Sequence, residues 1–234
     1  MIPNNGWKEI LESALNRMDK EYLEFIRCGD YLPGKDRVFN AFGNLEPNNV
    51  RYILFGQDPY PRKESAIGYA FIDGGVEKIF DHENGFSKEV NRAVSLRNFL
   101  KMALVAMGRL HGDTSKEAVK RVDKSDLINS MDELRENFEK NGILLLNRSL
   151  VYTSKDSLTY HARMWREFLA KLLYGLRDRD IELILLGSLA KEIEALTEGM
   201  GFRVFKAQHP FNCGFVTDRA VLDKFAPFEL MKKR

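Results

Sequence analysis

The chain has 234 residues, 44% hydrophobic and 30% charged, an ordinary globular composition that sets aside disordered, collagenous and membrane classes. Lys and Arg number 36 against 34 Asp and Glu, so a formal charge of +2 gives little reason to expect a polyanionic partner, and any nucleic-acid site must be a local patch. Cys28 and Cys213 are too few for a four-cysteine zinc site or an iron–sulfur cluster. The opening MIPNNGWKEI lacks the regions of a signal peptide, and no stretch is apolar enough to span a membrane.

The expectation is a single domain over residues 1–234, cytoplasmic or, in a eukaryote, nuclear or organellar, with free thiols and no cofactor. Residues 1–50 form a helical part packed on it. From Gly6 to Arg27, Trp7, Ile10, Leu11, Leu15, Met18, Tyr22 and Leu23 fall near helical spacing, predicting one amphipathic helix. A short helical piece ends at Phe42, and the turn-rich Glu46-Pro47-Asn48-Asn49 leads into the strand candidate 50–55. A loop-rich stretch runs to about Phe86. Ser87 opens a helix predicted through Gly108, and the charged segment 113–126 reads as a solvated connection with some helix. Residues 132–140 predict a helix closed by Asn141-Gly142, ahead of the apolar strand Ile143-Leu144-Leu145-Leu146.

The rhythm then repeats: helix 162–176, strand 181–186, helix 188–196, strand 202–205 and a helix from Asp218. Such alternation predicts an α/β fold with a parallel sheet covered on both faces. In that architecture ligands bind beyond the carboxyl ends of the strands. The residues there are Gly56-Gln57-Asp58-Pro59-Tyr60, Asn147-Arg148-Ser149, Gly187-Ser188 and Gln208-His209-Pro210. Each has a structural reading alone: Asp58 before Pro59 is a turn, Asn147 a satisfied amide, Ser188 an N-cap, His209 a buried or surface imidazole. Together they bring a carboxylate, an amide, a hydroxyl and an imidazole to one sheet edge. That set suits cleavage of a bond next to a planar, hydrogen-bonding leaving group, with no metal needed.

With GQDPY at 56–60, LLLN at 144–147, LLGS at 185–188 and HP at 209–210, the sequence resembles the family 1 uracil-DNA glycosylases. Phe71 keeps that family's interval after Tyr60, and Trp165 with Phe168 is similar to its WETF helix signature. The resemblance covers roughly residues 51–215. It implies a doubly wound α/β/α sandwich with a central four-stranded parallel sheet that hydrolyses the N-glycosidic bond of uracil in DNA; the partner expected is uracil-containing DNA, single- or double-stranded, and the chain is expected to be a monomer.

On that resemblance Asp58 orients a water and opposes the sugar cation, and His209 donates to the O2 of the uracil anion. Asn147 reads N3–H and O4, Tyr60 blocks a C5 methyl, Phe71 stacks on the base and backbone around Gln57 assists at O2. Ser188, Pro61, Arg62, Lys63, Pro210 and Phe211 are expected against DNA.

The pattern departs in two places. Typical members continue GQDPY with HGPGQAHG, where this chain has Pro61-Arg62-Lys63-Glu64-Ser65-Ala66-Ile67-Gly68. HPSPLS becomes His209-Pro210-Phe211-Asn212-Cys213-Gly214, so the wedging leucine falls on Cys213. For Phe211, a wedge role and core packing both stand open, and Asn212 or Ser149 takes over the lost serine's phosphate contact. These changes predict a preference for single-stranded or destabilised DNA. Charge read by segment adds a local basic face: positions 56–71, 143–166 and 202–215 together carry +5, with Arg148 and Arg203 among them. The alternatives are a related glycosylase with shifted damaged-pyrimidine specificity and a non-catalytic binder of uracil or single-stranded DNA.

Overall fold

The computed structural model describes residues 2–234. Where the sequence predicts one opening helix there are two, α1 (Lys8–Leu15) and α2 (Lys20–Cys28). The break is chemical: the Asp19 carboxylate accepts from the Tyr22 N–H at 2.9 Å, and that N-cap starts a new helix. Strand β1 (Tyr52–Gly56) follows as predicted. The loop beyond it contains a two-residue pairing, β2 (Phe80–Asp81) with β3 (Gly85–Phe86), too short to leave a periodic signal.

The helix predicted over 87–108 is also two, α3 (Lys88–Arg92) and α4 (Val94–Ala106), because Ala93 at ψ 85° leaves the helical region. Short α5 (Lys116–Arg121) precedes α6 (Met131–Lys140), which opens on a reciprocal capping box between Ser130 and Glu133. Then come β4 (Ile143–Asn147), α7 (Leu158–Leu176), β5 (Glu182–Leu186), α8 (Leu189–Leu196), β6 (Arg203–Ala207) and α9 (Arg219–Phe225). The expected α/β class with a central four-stranded parallel sheet is observed, in the order β4-β1-β5-β6.

The chain divides into two compact units. The first runs through Asp73 and resumes over Gly142–Phe205. Its centre is β1, paired parallel with β4 on one side and β5 on the other. The apolar runs are buried on both faces, so Ile53, Leu54 and Phe55 are inaccessible, as are Leu144–Leu146 and Leu183–Leu186. Helix α1 packs on α7. Trp7 is fully buried among that core, and its indole N–H donates to the Leu45 carbonyl at 2.6 Å. Trp165 and Phe168, the pair similar to a helix signature, are inaccessible and meet edge to face at 4.9 Å, a packing role.

The second unit comprises Gly74–Asn141 and Lys206–Arg234. Phe99 anchors it, with the rings of Phe138, Phe215 and Phe225 within 6.2 Å. The buried amide of Asn137 holds the C-terminal segment by donating to the carbonyls of Leu230 and Lys232, each at 2.8 Å.

Candidate active site

In the first unit, β1 and β4 run parallel in register, so their carboxyl ends coincide at the pair Gly56 and Asn147. The ladder continues past both strands: Arg148 N–H donates to Gly56 O at 2.8 Å and Ser149 N–H to Gln57 O at 3.1 Å. This ties the GQD segment to the residues after Asn147. Glycine at 56 is required by close approach, since a Cβ there would lie 2.8 Å from the Ala70 Cβ and collide with Asn147 Oδ1. Asn147 is buried, yet its side-chain amide bonds to none of the described residues. Neither of its amide atoms is fully enclosed without a partner, so the group stays open at the strand end with one donor and one acceptor to offer a ligand.

Asp58 follows on the same loop, its side chain 11% exposed. Nη2 of Arg148 lies 3.3 and 3.2 Å from its two oxygens. Burial raises the Asp58 pKa above the usual carboxylate value, and the guanidinium offsets only part of that. Tyr60 is partly buried, and burial pushes its phenol well up, with the nearby Asp73 carboxylate adding to the effect. Phe71 adopts φ 64°, the left-handed region that non-glycine residues seldom enter. Its neighbour Ala70 is pinned to β4 by an N–H bond to Leu145 O at 3.3 Å. Strain of this kind collects at sites where one side-chain direction matters.

Gln57, Pro61, Arg62 and Lys63 are exposed. Arg62 is shared between Glu64 at 3.8 Å and the buried Asp73 at 3.6 Å. Ser188 is exposed at the start of α8 after Gly187 (φ 75°), and its hydroxyl makes no cap hydrogen bond. Ser149 cannot take a phosphate as expected: it is fully buried, with its Oγ donating to Val151 O at 2.8 Å and accepting from Val151 N at 3.3 Å.

The second unit holds the turn after β6. His209 is partly buried, and loss of water lowers its pKa from the ordinary 6.5. Its Nδ1 accepts from the Phe211 N–H at 3.1 Å, which leaves the ring proton on Nε2. Pro210, expected against DNA, is buried, and its carbonyl accepts from the buried Asn98 amide at 2.7 Å. Phe211 is not a core residue: at 64% exposure it is the most exposed large hydrophobic side chain among the described residues. Asn212 and Cys213 are exposed.

Sequence reasoning missed Arg148 and Asn98 as site-shaping residues. Arg148 stands among the strand-end residues and counts toward the segment charge, but it spans Asp58 and Glu192, and Arg203 pairs with Asp180 at 2.7 Å. The local basic face is therefore weaker than the segment charges suggest. Only the position of Arg148, next to Asn147 at a strand end, hinted at its part. No group of three or more His, Cys, Asp and Glu among the described residues is placed to hold a metal ion. No helix there is long and apolar enough to cross a membrane.

No protein-family profile matches the sequence. Curated proteins named uracil-DNA glycosylase do: one from Campylobacter jejuni is 26% identical over 215 residues, covering 88% of this chain and 80% of its own. Another, from Exiguobacterium sibiricum, is 26% identical over 223 residues, covering 88% and 84%. The wild-type UNG crystal structure from Nitratifractor salsuginis is 50% identical with a TM-score of 0.96, covering 99% of this chain and 94% of that one. Mimivirus uracil-DNA glycosylase, at 17% identity and a TM-score of 0.57, shares the fold over 88% of this chain and 68% of its own.

Proposed function

As this chain belongs to the uracil-DNA glycosylase family, we propose that Asn147, Tyr60 and Phe71 recognise a uracil turned out of DNA while Asp58 and His209 drive its release. The protein is an N-glycosyl hydrolase of DNA repair, freeing uracil and leaving an abasic site. The observation that carries the assignment of roles is the unengaged amide of Asn147, held against Gly56 where β1 and β4 end together.

That amide offers one acceptor and one donor, matching N3–H and O4 of uracil, whereas cytosine presents the inverse pattern. A fixed polar site leaves groups unpaired against the wrong base, which supports discrimination of about 10⁴–10⁵. Tyr60 excludes the methyl that distinguishes thymine. Phe71, aimed by its unusual backbone angle, gives the base a stacking face worth about 1–3 kcal/mol. These contacts offset the few kcal/mol of unstacking.

Cleavage builds positive charge on the sugar and negative charge on the leaving base. Asp58 as carboxylate opposes the first and orients the attacking water. His209, neutral with its proton on Nε2, donates to O2 of the uracil anion, and backbone around Gln57 assists there. Ser188, Arg62 and Lys63 lie along the DNA backbone, and exposed Phe211 fills the vacated stack in place of leucine. Single-stranded or destabilised DNA is the favoured substrate, since there the unstacking cost is least. The test is uracil release from matched single- and double-stranded oligonucleotides by the wild type and Asp58→Asn.

A further inference from the structure

Arg148 sits between two acids. Its Nη2 faces both oxygens of Asp58, at 3.3 and 3.2 Å, and its Nη1 meets Glu192 of α8 at 3.1 Å. The three side chains are unequal in exposure: Asp58 at 11% and Arg148 at 17% are largely out of water, while Glu192 at 42% is half solvated. The backbone fixes the arginine as well, since Arg148 N–H extends the β1–β4 ladder onto Gly56 O, two residues before Asp58. The guanidinium thus approaches Asp58 from a rigid strand end, braced from behind by a carboxylate on a separate helix.

We propose that Arg148 is a positioning residue for the glycosylase reaction, holding the Asp58 carboxylate ionised and fixed in orientation, with Glu192 bracing the guanidinium. The inference rests on the role given above to Asp58. A carboxylate removed from water reverts to its neutral acid unless a partner stabilises the charge. Neutral Asp58 neither accepts a proton from water nor opposes a sugar cation. Among the charged groups that act on Asp58, Arg148 favours the anion and Glu192 opposes it; burial is the largest influence and raises the pKa. Arg148 is therefore the group that draws the Asp58 pKa back down and favours the anion against burial.

A purely stabilising role is a poor explanation for this pair. Buried ion pairs contribute little to stability once desolvation is included. The Arg148 Nε is also buried without a hydrogen-bond partner, a cost a stability-driven arrangement would avoid. A DNA-phosphate role is the other possibility. A guanidinium with both terminal nitrogens already committed to carboxylates has little positive charge left over for it.

The test measures kcat and KM for uracil release from a single-stranded oligonucleotide carrying one uracil, between about pH 5 and pH 9, for the wild type, Arg148→Met, Arg148→Lys and Asp58→Asn. Thermal melting confirms that each variant is folded. In Arg148→Met the acid limb of kcat should move to higher pH by about 1–3 pH units, with KM and its salt dependence unchanged. Arg148→Lys, which keeps a point charge but not the fork, should fall between and remains informative if the methionine variant does not fold. An acid limb that stays in place in Arg148→Met, or a raised KM with a shallower salt slope, overturns the inference, the latter making Arg148 a phosphate contact. If Asp58→Asn keeps wild-type activity, the reading of Asp58 itself fails and takes this one with it. If Asp58→Asn is inactive and Arg148→Met keeps the wild-type limb, only the role of Arg148 is lost.

Discussion

The backbone N–H of Phe211 donates to Nδ1 of His209 at 3.1 Å, and this single bond decides which nitrogen of the imidazole carries the proton. A three-residue turn thereby makes His209 a neutral Nε2–H donor. Burial favours the same state by lowering the pKa, so the ring takes up its proton at lower pH than an ordinary histidine. The folded chain then binds fewer protons than the unfolded one as pH falls through 6.5, and stability declines in that direction. His209→Asn should lower kcat by about 10²–10³ and reduce the loss of melting temperature on acidification. A variant with full kcat would remove His209 from the reaction.

Asn147 sets which base is accepted. Asn147→Asp exchanges a fixed donor–acceptor pair for a carboxyl that, once protonated, presents its donor and acceptor the way cytosine needs. Uracil release should fall by about 10²-fold or more while cytosine release becomes measurable. Oligonucleotides carrying each base at the same position, with free base quantified, check this. Gly56→Ala should also lose uracil release, because the new Cβ pushes the Asn147 amide aside.

Phe211 separates duplex from single-strand activity. Its exposed ring contributes nothing to a core, so Phe211→Ala should leave the melting temperature within a degree or two, as is usual for surface changes within about 0.5 kcal/mol. It should slow release from a U·A duplex by about tenfold or more, with a smaller effect on single strands, where no stack needs filling. Equal effects on both substrates would assign the ring another task.

The extent to which all this could be read from the sequence follows the physics of each signal. Buried parallel strands leave continuous apolar runs, and β1, β4 and β5 were visible for that reason. Helix breaks were not, since Asp19 and Ala93 interrupt periodic patterns that continue through them. Asp58, Tyr60, Phe71 and Asn147 were legible because β-strand ends and motif spacing mark them. The pairing of Arg148 with Asp58, the burial of Ser149 and the exposure of Phe211 depend on side-chain direction in loops, which no spacing encodes.

Trp7 joins the N-terminal helices to the first unit through burial and its indole bond to Leu45. Trp7→Ala should cost about 3–5 kcal/mol of stability. Chemical denaturation should show a lower midpoint. Uracil release at low temperature, where the variant is still folded, should be near wild type, because Trp7 lies outside the proposed site.

Whether Asp58 drives uracil release is decided by assays on single-stranded and U·A duplex oligonucleotides that compare the wild type with Asp58→Asn. The wild type should release free uracil from both and faster from the single strand, and Asp58→Asn should lose about 10²-fold or more on each while still binding the DNA. Wild-type rates in Asp58→Asn would remove Asp58 from the reaction, and no uracil released by the wild type from either substrate would remove the activity itself.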